Sequence, residues 1–165
     1  MRLSERRVAV SERAIFVNSI DALLSDFEVL DEWEDRYRHV IELGRDLQPL
    51  AEEDHSPRNK VMGCASQVWI ISEVRGDPAN PVLVFTGDSD ALIVKGLIAI
   101  AFLIYSGKTA REILATDAGE ILGKMGLAGH LTQQRSNGFA SMIQWIKSDA
   151  AAALQASPVP VSGGR

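Results

Sequence analysis

The stretch 66-SQVWIISEVRGDPANPVLVFTG-87 holds two short runs rich in β-branched and aromatic residues, separated by Gly-Asp-Pro-Ala-Asn-Pro. Such side chains suit a pleated, half-buried surface, and the intervening residues are turn formers. The stretch therefore predicts two antiparallel strands with a Pro-containing connection. Residues 60–63, just upstream, are placed to add a short third strand.

Both flanks read as helical. Upstream, Ile20, Leu23, Leu24 and Phe27 share one face of a helix over about 19–29, with Ser19 as its cap. Leu30, Trp33, Tyr37, Val40, Ile41, Gly44 and Leu47 then mark an amphipathic helix that ends before Pro49. Downstream, 87-GDSD-90 opens a helix that Asp88 or Ser89 can cap. Its body, 91-ALIVKGLIAIAFLIY-105, is apolar on nearly every side, yet it is too short for a bilayer span and carries Lys95. A central core helix is expected instead. Gly107 stops it, Thr109 starts another helix, and the glycine-rich segment 119–130 gives a short helix and turns. Thr132 opens the last helix, with Phe139, Met142, Ile143 and Ile146 on one stripe. Arg135 lies one turn earlier on that stripe, where a cation needs a partner or a site.

Helices, a small sheet, then helices again predict an α+β fold. Its antiparallel sheet has about three strands, and the helices pack on one face. Residues 1–14 read as a flexible N-terminal extension, 15–153 as one domain, and 154–165 as a disordered tail. Trp69 is expected in the core.

The chain has 165 residues and a formal net charge of −5, with no basic block interleaved with aromatics. That surface does not favour nucleic acid or an anionic membrane. The N-terminus lacks an apolar signal core, and a single free cysteine fits a reducing compartment, so a cytoplasmic location is expected. One cysteine supports neither an internal disulfide nor a thiolate metal site within the chain.

That cysteine is Cys64, in 58-RNKVMGCASQVW-69. A lone cysteine is most often a small buried apolar residue. Here Gly63 precedes it, it joins a polar loop to a strand, and Arg58 and Lys60 are near enough in sequence to favour the thiolate. A hydrolase needs a base, but His39, His55 and His130 form no known signature with it. His39 falls off the apolar face of its helix and reads as solvated. A dithiol cycle lacks its second cysteine. Carrying a sulfur atom suits a lone thiol: the thiolate attacks the outer sulfur of another protein's persulfide.

The segment 59-NKVMGCASQVW-69 closely resembles the cysteine signature of the SufE family of sulfur-acceptor proteins. Three further stretches agree in order and spacing: 36-RYRHVIELGRDL-47, 87-GDSDALIVKGLIAI-100 and 131-LTQQRSNGFASMI-143. Ala65 stands where the family often has Gln. The resemblance implies a fold similar to that of the IscU-type cluster scaffolds. It implies that Cys64 accepts persulfide sulfur from a SufS-type cysteine desulfurase, stimulates that enzyme, and passes the sulfur to a Suf-type scaffold complex for iron–sulfur cluster assembly. The chain is then a sulfurtransferase-type accessory protein rather than a stand-alone enzyme. It binds no cofactor of its own, the PLP being on the desulfurase. Gly63, Asp88 and Arg135 fall in the matching motifs as residues of loop geometry or partner contact. An iron–sulfur scaffold or a regulatory binding module for the desulfurase are the alternatives, and a homodimer stays open.

Overall fold

The computed structural model describes residues 20–156; the expected N-terminal extension, the Ser19 cap and positions 157–165 lie outside the described residues. The order is α1 (20–28), α2 (Trp33–Arg45), β1 (Val68–Arg75), β2 (Val82–Ser89), α3 (Leu92–Tyr105), β3 (Lys108–Thr109), α4 (Ala110–Ala115), α5 (Ala118–Lys124) and α6 (Gln133–Ala156). Short 3₁₀ turns occupy Glu52–Asp54, Pro57–Asn59 and Ala128–His130. This is the α+β arrangement that the two strand runs and their helical flanks predict.

The three-stranded sheet has the order β1-β2-β3 and is antiparallel throughout. Ile70 stands opposite Gly87, and Ser72 opposite Phe85. Val68, Ile70, Leu83 and Phe85 are buried on one face. Against them lie Leu97, Ile98, Ile100, Ala101 and Ile104 of α3, with Phe139, Met142 and Ile146 of α6. Each Val, Leu, Ile, Phe or Met among them contributes about 1.5–3 kcal/mol when fully buried. The near-uniform apolarity of α3 follows from its central place, and no described helix is long and apolar enough to cross a membrane.

Four expectations are corrected. The third strand is not residues 60–63 but Lys108–Thr109; Lys60 makes only an isolated bridge to Trp69. The Val61 N–H donates to the Val68 carbonyl at 2.8 Å, and the chain then leaves the sheet at Gly63, where φ is +91°. Trp69 is half-buried on the opposite face from Val68 and Ile70, as the two-residue period of a strand requires. Its ring meets His55 edge-on at 4.7 Å instead of entering the core. Neither Asp88 nor Ser89 caps α3, because β2 continues through both; the N-cap is Ala91, without a side-chain cap. Lastly, α6 runs through residues 154–156, which the tail reading included, and Leu154 packs against the core.

Helices α2 and α3 cross at glycines. A Cβ on Gly44 would lie 2.6 Å from the Gly96 nitrogen, and one on Gly96 would lie 2.2 Å from the Val40 carbonyl oxygen. The backbones therefore meet with no side chain between them. This crossing seats α3 under the sheet. Beyond α3, Gly107 takes φ +83°, and Thr109 and Glu112 form a reciprocal capping box that starts α4.

Candidate functional site

Cys64 sits in the segment that leaves the Lys60–Trp69 bridge and returns as β1. Each end of the segment is fastened. Upstream is the Val61–Val68 hydrogen bond; downstream, the Gln67 N–H donates to Asp90 Oδ1 at 3.0 Å. Between them Gly63 lies so close to α6 that a Cβ would fall 2.5 Å from Ser141 Oγ. Its positive φ and this contact both select glycine. The turn aims the next side chain at α6.

The Cys64 thiol donates to the Gly138 carbonyl at 3.5 Å. It lines a cavity of about 210 Å³ with Val94 and Leu97 of α3 and Arg135, Gly138 and Met142 of α6. Ser66, Thr132 and Gln134 supply the polar part of the lining. Gly138 belongs to the same stripe as Arg135 and Met142, at spacings of three and four. A Cβ there would stand 3.5 Å from Sγ, so the thiol occupies the space above a side-chain-free turn.

Cys64 is half-buried, and burial pushes its thiol pKa up. Desolvation is the cause of that shift. The expectation that Arg58 and Lys60 favour the thiolate is thereby corrected: adjacency in sequence does not bring their charges to bear on Sγ, and desolvation decides. Free Cys64 is thus a protonated, slow nucleophile at neutral pH. The pH profile of its alkylation by iodoacetamide in the folded protein is expected to have its midpoint above that of the urea-unfolded chain. A midpoint at or below the unfolded value would mean that a charge in the cavity wall, Arg135, outweighs burial.

Of the other residues singled out in the sequence, Gly63 and Arg135 join Cys64 and Asp88 does not. Arg135 is half-buried in the cavity wall, and among the described residues its guanidinium makes no ion pair. Asp88 instead accepts from His55 at 2.8 Å and lies 3.5 Å from the Lys95 ammonium. Burial works against its carboxylate, but the His55, Ser89 and Lys95 contacts together hold the pKa below the ordinary value.

The three histidines occupy separate places. His130 stacks on Trp33 at 4.6 Å. His39 is not solvated as its helical position suggested; α1 covers that face, and the ring meets Phe27 edge-on at 5.2 Å. His55 lies beside Trp69, and none of the three lines the Cys64 cavity. Among the described residues no cluster of His, Cys, Asp or Glu could hold a metal ion. Two parts of the arrangement had no signal in the sequence. One is the Gly138 carbonyl, a backbone group on another element. The other is the His55–Asp88 contact, which spans 33 positions.

Comparison with known proteins places the geometry in context. The family described as "SufE: Fe-S metabolism associated domain" matches residues 21–150. An uncharacterized SufE-like protein of Rhizobium etli is 57% identical over 136 residues, 82% of this chain and 92% of the relative. A second, from Rhizobium meliloti, is 53% identical over 140 residues, 85% of this chain and all of the relative. Among solved structures, a hypothetical protein from Thermus thermophilus superposes with a TM-score of 0.63 at 18% identity, covering 84% of this chain and 97% of that one. That likeness concerns the fold alone.

Proposed function

Because this chain belongs to the SufE family of Fe–S metabolism, we propose that Cys64 accepts sulfur from the persulfide of a SufS-type cysteine desulfurase and delivers it to a Suf-type scaffold complex. The observation that carries the reading is a single thiol seated in a small, mixed apolar and polar cavity beside Arg135, a cation that makes no ion pair among the described residues.

The transfer is thiol exchange. Cys64 Sγ attacks the outer sulfur of the donor persulfide, a new S–S bond forms, and the donor's S–S bond breaks. The donor cysteine leaves as a thiolate and can take the proton that Cys64 gives up. No electron is gained or lost overall. A raised thiol pKa suits the waiting state, since a protonated thiol resists stray oxidation. Loading changes the chemistry: a persulfide is more acidic than a thiol, so the loaded side chain is anionic. Arg135, on the same wall, supplies the opposite charge within a partly desolvated space. Gly63 sets the loop geometry that keeps the sulfur inside. The chain needs no cofactor for this step, since the PLP that releases sulfur from L-cysteine resides on the desulfurase.

The test is turnover. Adding this chain to a purified SufS-type desulfurase with L-cysteine is expected to raise alanine production, because the enzyme's persulfide is unloaded. Unchanged turnover with a desulfurase that this chain is shown to bind would overturn the acceptor reading and leave a regulatory module.

A further inference from the structure

Away from the Cys64 cavity, His55, Trp69 and Asp88 meet on the outer face of the sheet. Trp69 and Asp88 are register partners in β1 and β2. His55 comes from the connection between α2 and β1 and places its ring edge-on against Trp69 at 4.7 Å. Its Nε2 faces Asp88 Oδ2 at 2.8 Å, and its Nδ1 faces the Glu52 carbonyl at 3.3 Å. Both partners are acceptors only. A neutral imidazole has one N–H and can serve one of them; an imidazolium serves both.

The surrounding charges agree. From β2, Asp88 faces the ring; from α3, Lys95 faces Asp88 from the other side at 3.5 Å; from β1 comes only the uncharged Trp69. On its own segment, the backbone carbonyls of Ala51 and Glu52 also favour the charged ring. The hydrogen bond to Asp88 raises the His55 pKa above the ordinary 6.5 against a smaller opposing effect of burial.

The fastened segment leads to Cys64. From His55 the chain runs through the Pro57–Asn59 turn, tied by the Asn59 amide to the Asp54 carbonyl at 3.0 Å, to Lys60 and its bridge with Trp69. Four residues later comes Cys64. We propose that His55 is a pH-sensitive clasp, which as an imidazolium fastens this connection to β2 and Trp69 and as a neutral ring loosens the segment that carries Cys64. The clasp does not depend on what Cys64 accepts.

The sign follows from linkage. A group whose folded pKa is raised adds its full stabilisation below the unfolded value and loses it as pH rises through the folded one. The depressed Asp88 pKa closes the window on the acid side. The clasp is therefore complete in mildly acidic solution, below the ordinary imidazole value, and opens as pH rises through the raised His55 value.

The experiment compares Cys64 alkylation in the full chain and in His55→Arg, whose cation does not titrate in this range. Taking the ratio of the two rates cancels the ionisation of the thiol itself. Wild type over His55→Arg is expected to be near one in mild acid and to rise about fivefold in mild alkali, the effect of one net hydrogen bond on a local opening. In an Asp88→Asn background the rise is expected to vanish. NMR titration of the His55 ring is read alongside, with a midpoint above that of the unfolded chain in the wild type and a lower one in Asp88→Asn. A flat ratio, or a rise that persists in Asp88→Asn, would overturn the clasp. Should His55→Arg fail to fold, the titration and the Asp88→Asn alkylation profile decide on their own.

Discussion

Cys64→Ser is expected to fold normally and to lose all stimulation of a SufS-type desulfurase. The structural side is simple. Serine is close to cysteine in size, the position is half-buried, and the hydroxyl can donate to the same Gly138 carbonyl that the thiol uses. The stability change should stay within about 1 kcal/mol. The chemical side is absolute, because a hydroxyl does not attack a persulfide sulfur and Cys64 is the only cysteine in the chain. Desulfurase turnover with the variant should equal turnover with no added chain, while binding persists. Retained stimulation would show that the chain activates by contact and that its sulfur is a bystander.

Gly96→Val is expected to be the most damaging substitution in the framework. The close approach of α2 and α3 leaves no room at this position, where a Cβ would fall 2.2 Å from the Val40 carbonyl oxygen and 2.4 Å from its Cγ1. Two backbones cannot yield as the end of a side chain can, so α3 must shift away from α2. That movement disturbs Val94 and Leu97, which line the Cys64 cavity from the same helix. Overpacking typically costs about 1–3 kcal/mol, and contact with backbone puts this site at the upper end, about 3 kcal/mol. For a domain of this size that is roughly 6–12 °C in Tm. A calorimetric Tm within about 2 °C of wild type would mean the helices part without cost, and would contradict the tight crossing.

The two predictions differ in how far the sequence foretells them. Cys64 is legible from its motif, since a lone thiol after Gly63 in a loop-to-strand segment is a local pattern. The sheet is legible for the same reason: the β-branched runs on either side of Gly-Asp-Pro-Ala-Asn-Pro are local, and so is the apolar body of α3. The glycine crossing is half legible. Gly44 stands out on the apolar face of an amphipathic helix and Gly96 on an apolar one, but nothing in either helix says that they meet. The third strand is illegible because Lys108–Thr109 is only two residues long and owes its pairing to β2. A run that short carries no period.

The electrostatics of the site were the least legible. Arg58 and Lys60 are near Cys64 along the chain, yet the thiol responds to burial in a pocket built from α3 and α6. Asp88 sits where a helix cap is expected, but the strand runs past it and leaves its carboxylate to His55 and Lys95. His55 itself reads as an unremarkable loop residue until the fold brings β2 alongside. Each of these is a contact between distant segments, and pKa values follow such contacts rather than order in sequence. Arg135 is the exception. A cation on an apolar helical stripe asks for an explanation, and the cavity shared with Cys64 provides one.

The most direct test of the central claim is the mass of the intact chain after incubation with an active SufS-type desulfurase and L-cysteine, in the absence of reductant. The account predicts a gain of one sulfur atom or more, removed by added thiol and absent from Cys64→Ser. A chain that binds the active desulfurase and leaves with its mass unchanged would contradict sulfur transfer through Cys64.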